Sequence, residues 1–184
     1  MIVKGHDFSR VTLVGVLLAD LTLFSGDYRA GERTFDLLTQ AAGRAGRGDV
    51  PGKVVIQTYK PDNYAITAAA SQNYRAFYDI EEAYRSLMRY PPEWNMMVIM
   101  GTGMDEEQLA NIMDRMYSLI RGKYINAGHL SVIGPSEPAI SKIKDVYRRV
   151  LYIKHRDYRM LVDVKDYVEE WLKENGENDC ERIL

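Results

Sequence analysis

Two apolar runs separated by a helix-like segment set the strongest limit on how this chain folds. Residues 11–18, VTLVGVLL, are continuously apolar and rich in β-branched side chains, as expected for a strand buried on both faces of a parallel sheet. Residues 29–42 have helical apolar spacing, and KVVIQTY at 53–59 predicts a second buried strand. This order predicts a βαβ unit in an α/β fold. Because two strands are too few to stand alone, we expect a larger parallel sheet.

The rest of the chain predicts a helical connector over 61–92 and a second domain over 93–184, after a first domain over 1–60. The connector has helical spacing broken near residues 71–73. In the second domain, strand patterns alternate with two amphipathic helices, the first capped by Asp105 and the second over 158–173. Residues 139–144 and 146–154 predict a hairpin. The β-α-β-β-α order resembles a ferredoxin-like α+β sandwich, whose last strand would begin in the C-terminal ERIL.

Composition excludes several classes of protein. No run approaches the 18 apolar residues of a membrane-spanning helix, and the polar N-terminus does not resemble a secretory signal. We therefore expect a cytoplasmic protein. With one cysteine and three histidines in 184 residues, the chain cannot form an internal disulfide or a cysteine-rich zinc cluster, and we predict no metal site.

Positive charge is concentrated in the second domain. Residues 142–159 contain seven lysines and arginines against two aspartates, whereas residues 163–184 contain eight acids against three bases. One interpretation is a basic face beside an acidic face. The other is a strand and a helix with ordinary solvated surfaces.

Two arginines follow the first predicted helix, each directly preceded by a glycine. In LTQAAGRAGRGD, Arg44 and Arg47 are spaced i and i+3, so both guanidinium groups can reach one anion if the helix persists. A guanidinium stays charged and binds phosphate oxygens through paired N–H groups, which suits it to phosphoryl transfer. Gln40, one turn earlier, can orient a water or touch the same phosphate. The alternative is a glycine-rich helix end with solvated arginines.

Two further segments are candidates for chemistry. KGHDF at positions 4–8 precedes the first strand, and its His6 and Asp7 are either functional or ordinary polar turn residues. Asp20 follows the same strand, where the carboxyl end of a parallel strand commonly borders a ligand crevice.

Together these motifs resemble the PriA family of bacterial replication-restart DNA helicases, also called primosomal protein N′. The resemblance covers essentially the whole chain and rests on five stretches of sequence: MIVKGHDF, FSGDYRAGERTFDLLTQAAGRAGRG, GKVVIQTYKPDNYAI, AFYDIEEAYRSLMRYPP and VIGPSEPAISKIKDVYRRVLYIK. The GRAGR core is shared with many superfamily 2 helicases, but its combination with KGHDF and YPP points to this family. The resemblance implies the end of a second RecA-like lobe followed by the family's C-terminal domain.

The resemblance also implies roles for individual residues. Gln40, Gly43, Arg44, Gly46 and Arg47 match helicase motif VI, whose arginines reach the γ-phosphate of ATP as arginine fingers. Helicase motif V, which links the nucleotide state to DNA binding, is matched by Lys4, Gly5, His6 and Asp7. The resemblance implies that Gly5 and Asp7 bind the nucleotide and that Lys4 and His6 bind DNA. The DNA-binding residues implied for the C-terminal domain are Lys142, Lys144, Arg148, Arg149 and Lys154.

The implied cofactors are ATP and Mg²⁺, held mainly by a first lobe for which this sequence has no Walker A or acidic-box motif. The family's zinc site likewise has no counterpart here. We therefore expect a part of a 3′-to-5′ helicase that starts primosome assembly at stalled forks, and that does not hydrolyse ATP by itself. The implied partners are forked or single-stranded DNA, the single-stranded-DNA-binding protein and other primosome proteins, in a nucleoid-associated cytoplasmic setting without a membrane.

A non-catalytic DNA- or protein-binding adaptor is the alternative. A small metabolic enzyme would need convergent acid and base groups, which the sequence does not suggest.

Three positions depart from the family pattern. Leu18 stands where an aspartate is common, and Gly26 and Gly31 replace less flexible residues.

Overall fold

The computed structural model describes residues 11–46 and 51–175, and the chain divides into two compact units, Met1–Arg85 and Ser86–Leu184. The first unit contains β1 (Leu13–Val16), a 3₁₀ helix (Ala19–Thr22), α1 (Ala30–Ala42), β2 (Lys53–Ile56), α2 (Tyr64–Ala70) and most of α3 (Tyr74–Leu87). The second contains β3 (Asn95–Gly103), α4 (Glu106–Lys123), β4 (Ser131–Ser136), β5 (Lys142–Ile143), β6 (Val146–His155) and α5 (Tyr158–Asn175). The fold is mixed α/β, as predicted.

In the first unit, β1 and β2 pair in parallel and α1 connects them. The predicted βαβ unit is therefore present. One face of the pair packs against α1 and α2, with Val16 buried beside Phe35 and Leu38. The prediction that these strands are buried on both faces is wrong for the described residues, because Leu13 and Val55 on the other face remain 60% and 49% exposed. That face has no helix over it among the described residues.

The predicted break in the connector is also present. Asn63 caps α2 by accepting a hydrogen bond from the backbone N–H of Ala65 at 3.0 Å, and the chain turns before α3 begins at Tyr74. α3 packs on the first unit through Phe77, whose ring stacks on Phe35 with centroids 4.3 Å apart.

A buried ion-pair network joins the helices of the first unit. Arg85 on α3 donates to Glu81 at 2.7 Å and to Glu32 on α1 at 2.6 Å, and the Tyr64 hydroxyl donates to Glu81 at 2.6 Å. Gly31 gives this network room, because a Cβ there would overlap the Tyr64 hydroxyl and lie 2.8 Å from the Glu81 carboxylate. The departure from the family pattern at Gly31 thus has a packing explanation.

In the second unit, the sheet order is β3-β6-β4, and both outer strands run antiparallel to β6. β3 and β4 are therefore parallel to each other with β6 between them. One face of the sheet packs against α4 and α5, where Ile99, Met113 and Leu151 are among the fully buried side chains. Asp105 caps α4 as predicted, accepting from the Gln108 N–H at 2.9 Å. β5 is shorter than the predicted 139–144 strand.

Candidate functional site

The turn after α1 contains the motif that the sequence singled out. The helix ends with Gly43 as its C-cap, and the chain continues in a tight turn in which Arg44 N–H donates to the Ala41 carbonyl at 3.1 Å and Ala45 N–H to the Ala42 carbonyl at 3.1 Å. Such three-residue hydrogen bonds satisfy carbonyl groups that would otherwise be orphaned at a helix end. The turn is thereby held in one conformation.

Gly46 fixes the far end of this turn. Its N–H donates to the Val11 carbonyl at 3.0 Å, and its φ of +73° lies in the left-handed region that glycine adopts without strain. A Cβ at Gly46 would lie 2.7 Å from the backbone nitrogen of Gly52, just before β2. The turn is therefore anchored at the edge where both parallel strands begin.

Arg44 is half-buried on this anchored turn, and Gln40 is exposed one helical turn earlier on α1. The structure thus places the two side chains in the same region of the first unit. Arg47 lies outside the described residues, so the joint action of both arginines on one anion stays a prediction. Lys4, Gly5, His6 and Asp7 also lie outside them.

Asp20 lies at the opposite end of β1 from the arginine turn. Its buried carboxylate accepts hydrogen bonds from the Thr58 hydroxyl at 2.6 Å and from the Tyr59 N–H at 2.9 Å. These bonds, the Thr58 bond first, lower the pKa of the Asp20 carboxyl from its ordinary value of 3.8. The carboxylate therefore joins the segments that follow β1 and β2, and it does not share a site with Arg44.

In the second unit, the predicted basic hairpin is formed by β5 and β6. Lys144 and Asp145 make its two-residue turn, with φ of +46° and +63°, the signature of a type I′ turn. Lys142 lies 3.1 Å from the Asp145 carboxylate and 3.3 Å from the Tyr147 hydroxyl. Hydrogen bonding to Tyr147 and then to Asp145 raises the pKa of the Lys142 ammonium. Lys142 and Lys144 are both exposed, which leaves them accessible to a phosphate.

The other three predicted DNA contacts do not join this pair. Arg148 contacts the Met100 sulfur at 3.1 Å, whereas the neighbouring Arg149 lies 3.7 Å from Glu106 at the start of α4. Successive residues of a strand point to opposite faces of the sheet, so these two arginines cannot act on one surface. Lys154 is only 5% exposed, and we assign it no direct phosphate contact.

Within residues 11–46 and 51–175, no group of three histidine, cysteine, aspartate or glutamate side chains is arranged to hold a metal ion. None of the helices described is both long and apolar enough to cross a membrane.

A groove between α4 and α5 is open to solvent and is lined by Asn111, Asp114, Arg115, Ser118, Leu119 and Trp171.

The chain is 40% identical over 162 residues to the replication restart protein PriA of Bacillus subtilis, which covers 88% of this chain. It is 35% identical over 158 residues, 86% of its length, to PriA of Synechocystis, and 33% identical over 178 residues, 96% of its length, to PriA of Haemophilus influenzae. The aligned part spans only 20%, 19% and 24% of those three proteins. No family model matches the chain.

Proposed function

We propose, from the premise that this chain corresponds to a part of the replication restart protein PriA, that it contributes to an ATP-dependent 3′-to-5′ DNA helicase acting at stalled replication forks. Its first unit would be part of a RecA-like lobe carrying the arginine fingers Arg44 and Arg47. Its second unit would be a ferredoxin-like domain that binds forked or single-stranded DNA. The setting would be the nucleoid-associated cytoplasm, with the single-stranded-DNA-binding protein and other primosome proteins as partners.

The anchored turn after α1 is the observation that carries the catalytic part of the proposal. An arginine finger works by meeting charge that develops during phosphoryl transfer, so its backbone must be positioned before the reaction. The hydrogen bond from Gly46 to Val11 and the close packing of Gly46 on Gly52 supply that positioning. ATP and Mg²⁺ would be held mainly by a first lobe, and a zinc site would belong to a separate part of the parent protein.

A chimeric helicase tests this role. The segment of the Bacillus subtilis relative that aligns with this chain is replaced by this chain, and DNA-stimulated ATP hydrolysis is measured. Arg44→Ala in the chimera should lower kcat about a thousandfold, the typical effect of losing an arginine finger. Arg33→Ala is the matched control, because Arg33 is an exposed arginine on α1, the helix that precedes the turn, and is paired with Asp27 at 2.7 Å.

The 184-residue chain by itself should show no DNA-stimulated ATP hydrolysis, because arginine fingers do not bind Mg-ATP without a phosphate loop. Robust turnover by the isolated chain would refute the proposed role of Arg44. An Arg44→Ala chimera that hydrolyses ATP as fast as the unsubstituted chimera would refute it as well.

The exposed hairpin carries the DNA-binding part of the proposal. Lys142 and Lys144 would contact phosphates without reading sequence, so binding to forked DNA should weaken steeply as salt rises. The Lys142→Gln, Lys144→Gln double variant should bind more weakly and with a shallower salt dependence. Lys165→Gln is the control for a lysine in the same unit, since Lys165 is paired with Glu169 at 2.8 Å. If the chain does not bind forked DNA at low salt, the proposed DNA-binding role of the hairpin is contradicted.

A non-catalytic adaptor remains the second candidate, and the second unit favours it through a hydrophobic core of its own. Its sheet also has the split β-α-β arrangement, with β6 between the parallel strands β3 and β4, which supports a ferredoxin-like domain. A chimera that binds DNA normally but is insensitive to Arg44→Ala would favour the adaptor.

A further inference from the structure

Two arginines flank one tryptophan at the start of the second unit. The guanidinium carbon of Arg89 lies 5.0 Å from the centre of the Trp94 ring, and that of Arg156 lies 5.4 Å from the same centre. Both distances are within the range of a cation–π interaction. Trp94 is only 5% exposed, whereas both arginines are exposed. The ring therefore holds two guanidinium groups at the surface of this unit.

A third cation lies beside this pair. The ammonium of Lys154 donates to the Met88 carbonyl at 3.1 Å and lies 3.6 Å from the centre of the Tyr90 ring. Burial, and next the positive charge of Arg89, lower the pKa of Lys154. Lys154 thus contacts both neighbours of Arg89, the backbone carbonyl of Met88 and the ring of Tyr90, and lies close enough for the two positive charges to repel each other.

No carboxylate of the described part of the chain neutralises these cations. Among the residues that the structure describes, none of the three has a carboxylate within ion-pair distance. The nearest acids in sequence are engaged elsewhere, since Glu93 accepts from the Ser86 hydroxyl at 2.8 Å and Asp157 accepts from the Arg159 N–H at 2.9 Å. Like charges held together without a counter-charge are destabilising unless an anion binds between them.

The backbone at Arg89 supports the same interpretation. Its φ of +57° lies in the left-handed region, and glycine is the usual residue where the chain leaves a helix in that conformation. A residue with a side chain strains the backbone at this position, whereas glycine does not. An arginine there is consistent with a use for its side chain, because such strain is commonly found at functional positions.

We propose that Arg89 and Arg156 bind the phosphodiester backbone of single-stranded DNA, with Lys154 as a positioning residue that holds the segment carrying Arg89. This inference rests on the proposed DNA-binding function and assigns it a second contact point besides the hairpin. Both guanidinium groups are exposed, so their N–H groups can reach the phosphate oxygens of a bound strand. Trp94 is too buried for base stacking, so the contact is to the backbone and independent of sequence.

Binding of the 184-residue chain to single-stranded oligothymidylate over a range of salt concentrations tests the proposal. The Arg89→Gln, Arg156→Gln double variant should bind more weakly, and the slope of log Kobs against log salt should become shallower by about 0.7 for each phosphate that the protein no longer neutralises. The matched control is Arg115→Gln with Arg121→Gln. It removes the same charge from two arginines that lie over Trp171 and Tyr117 in the same unit.

A spectroscopic measurement reports on the cluster directly. The chain contains two tryptophans, so Trp171→Phe leaves Trp94 as the only one, and its emission should change on addition of oligothymidylate. Trp94→Phe, which keeps Trp171, should show no such change. Inorganic phosphate at the same phosphate concentration should have a much smaller effect. An equal effect of free phosphate would overturn the assignment to DNA in favour of a small-anion site.

Two further variants separate direct binding from structure. Arg89→Lys with Arg156→Lys keeps both charges and should retain the salt slope, even if the glutamine variants fold poorly. Lys154→Met should weaken binding without changing the slope, since Lys154 positions the segment and does not touch phosphate. A Lys154→Met variant whose slope falls as far as that of the glutamine double variant would overturn the positioning role.

The outcomes distinguish this inference from the function on which it rests. If the unsubstituted chain does not bind oligothymidylate at low salt, both the proposed DNA binding and this inference fail. If the chain binds, and the arginine variants match the Arg115, Arg121 control while the hairpin variants lose affinity, only this inference fails.

Discussion

The Thr58 hydroxyl donates to the Asp20 carboxylate at 2.6 Å, joining two residues that are 38 positions apart in the chain. Together with the Tyr59 N–H bond at 2.9 Å, it ties the segment after β2 to the 3₁₀ helix after β1. The carboxylate is buried and is satisfied by neutral donors alone among the described residues. Its ionised state is therefore part of how the parallel strand pair is held together.

Asp20→Asn should lower the free energy of unfolding of the first unit at neutral pH, because charge-assisted hydrogen bonds are replaced by weaker ones. The folded-state pKa is depressed below 3.8, so the contribution is present above that value and is lost as pH falls through the folded pKa. Hydrogen exchange of residues 53–60 over a pH series, corrected for the intrinsic exchange rate, measures this. A difference between the proteins that is equally large well below pH 3.8 would contradict the prediction.

Tyr64 should give the first unit an alkaline limit. Burial, followed by the hydrogen bond to Glu81, raises the pKa of the Tyr64 hydroxyl well above its ordinary value of 10.0. As pH rises, the Tyr64 hydroxyl loses its proton in the unfolded chain before it does so in the folded protein. The contribution of Tyr64 to the free energy of unfolding is therefore fully present below pH 10 and falls as pH rises above that value. Tyr64→Phe should cost about 1.5 kcal/mol near neutral pH and lack this part of the alkaline loss. Urea unfolding across that range, with the exposed Tyr59→Phe as control, tests it.

Two helical glycines should respond in opposite directions to alanine. Gly31→Ala should lower stability by about 1–3 kcal/mol, because the added Cβ meets the Tyr64 hydroxyl and the Glu81 carboxylate. Gly122→Ala, on α4, meets no atom within 4 Å and should raise stability by roughly 0.5–1 kcal/mol through reduced chain entropy. Thermal unfolding of both variants gives the comparison. Stabilisation by Gly31→Ala would show that the network has room to adjust.

Two threonines on α1 provide another matched pair. Thr34 donates its hydroxyl to the Ala30 carbonyl at 2.8 Å and contacts the Thr22 hydroxyl at 2.6 Å, whereas the buried Thr39 hydroxyl has no partner among the described residues. Thr34→Val should cost about 1–3 kcal/mol, and Thr39→Val should be neutral or stabilising by about 1 kcal/mol. Urea unfolding measures both. A loss in Thr39→Val as large as in Thr34→Val would indicate a partner for that hydroxyl.

Local patterns predicted most of the secondary structure. The helical spacing of 29–42, the interruption near 71–73 and the Asp105 cap each depend on residues within a turn or two of one another, so the sequence contains the information they need. The arginine turn after α1 was also readable, because glycines beside a helix end specify backbone freedom without reference to distant residues.

The sequence predicted the hairpin but not how its cations are distributed. Arg148 and Arg149 are neighbours in the chain, yet the pleat of β6 sends them to opposite faces. Alternation is visible in sequence once a strand is identified. A charge count over a stretch such as residues 142–159 does not show which face of the strand each cation lies on. The sequence did not predict that Arg89 and Arg156 lie around Trp94, because Arg156 is far along the chain from the RYPPEW segment that contains the other two residues.

The sequence by itself determined the helices and strands, their order and the relationship to replication restart proteins. These depend on local periodicity and on motifs whose residues are contiguous in the chain. Only the tertiary structure decided which charged side chains are buried and which partners they contact. Lys154 is buried because β6 brings it to the carbonyl of Met88, 66 residues away, and Asp20 is held by a hydroxyl 38 residues away. The environment of a charged group depends on whatever the fold packs around it, and no window of the sequence contains those neighbours.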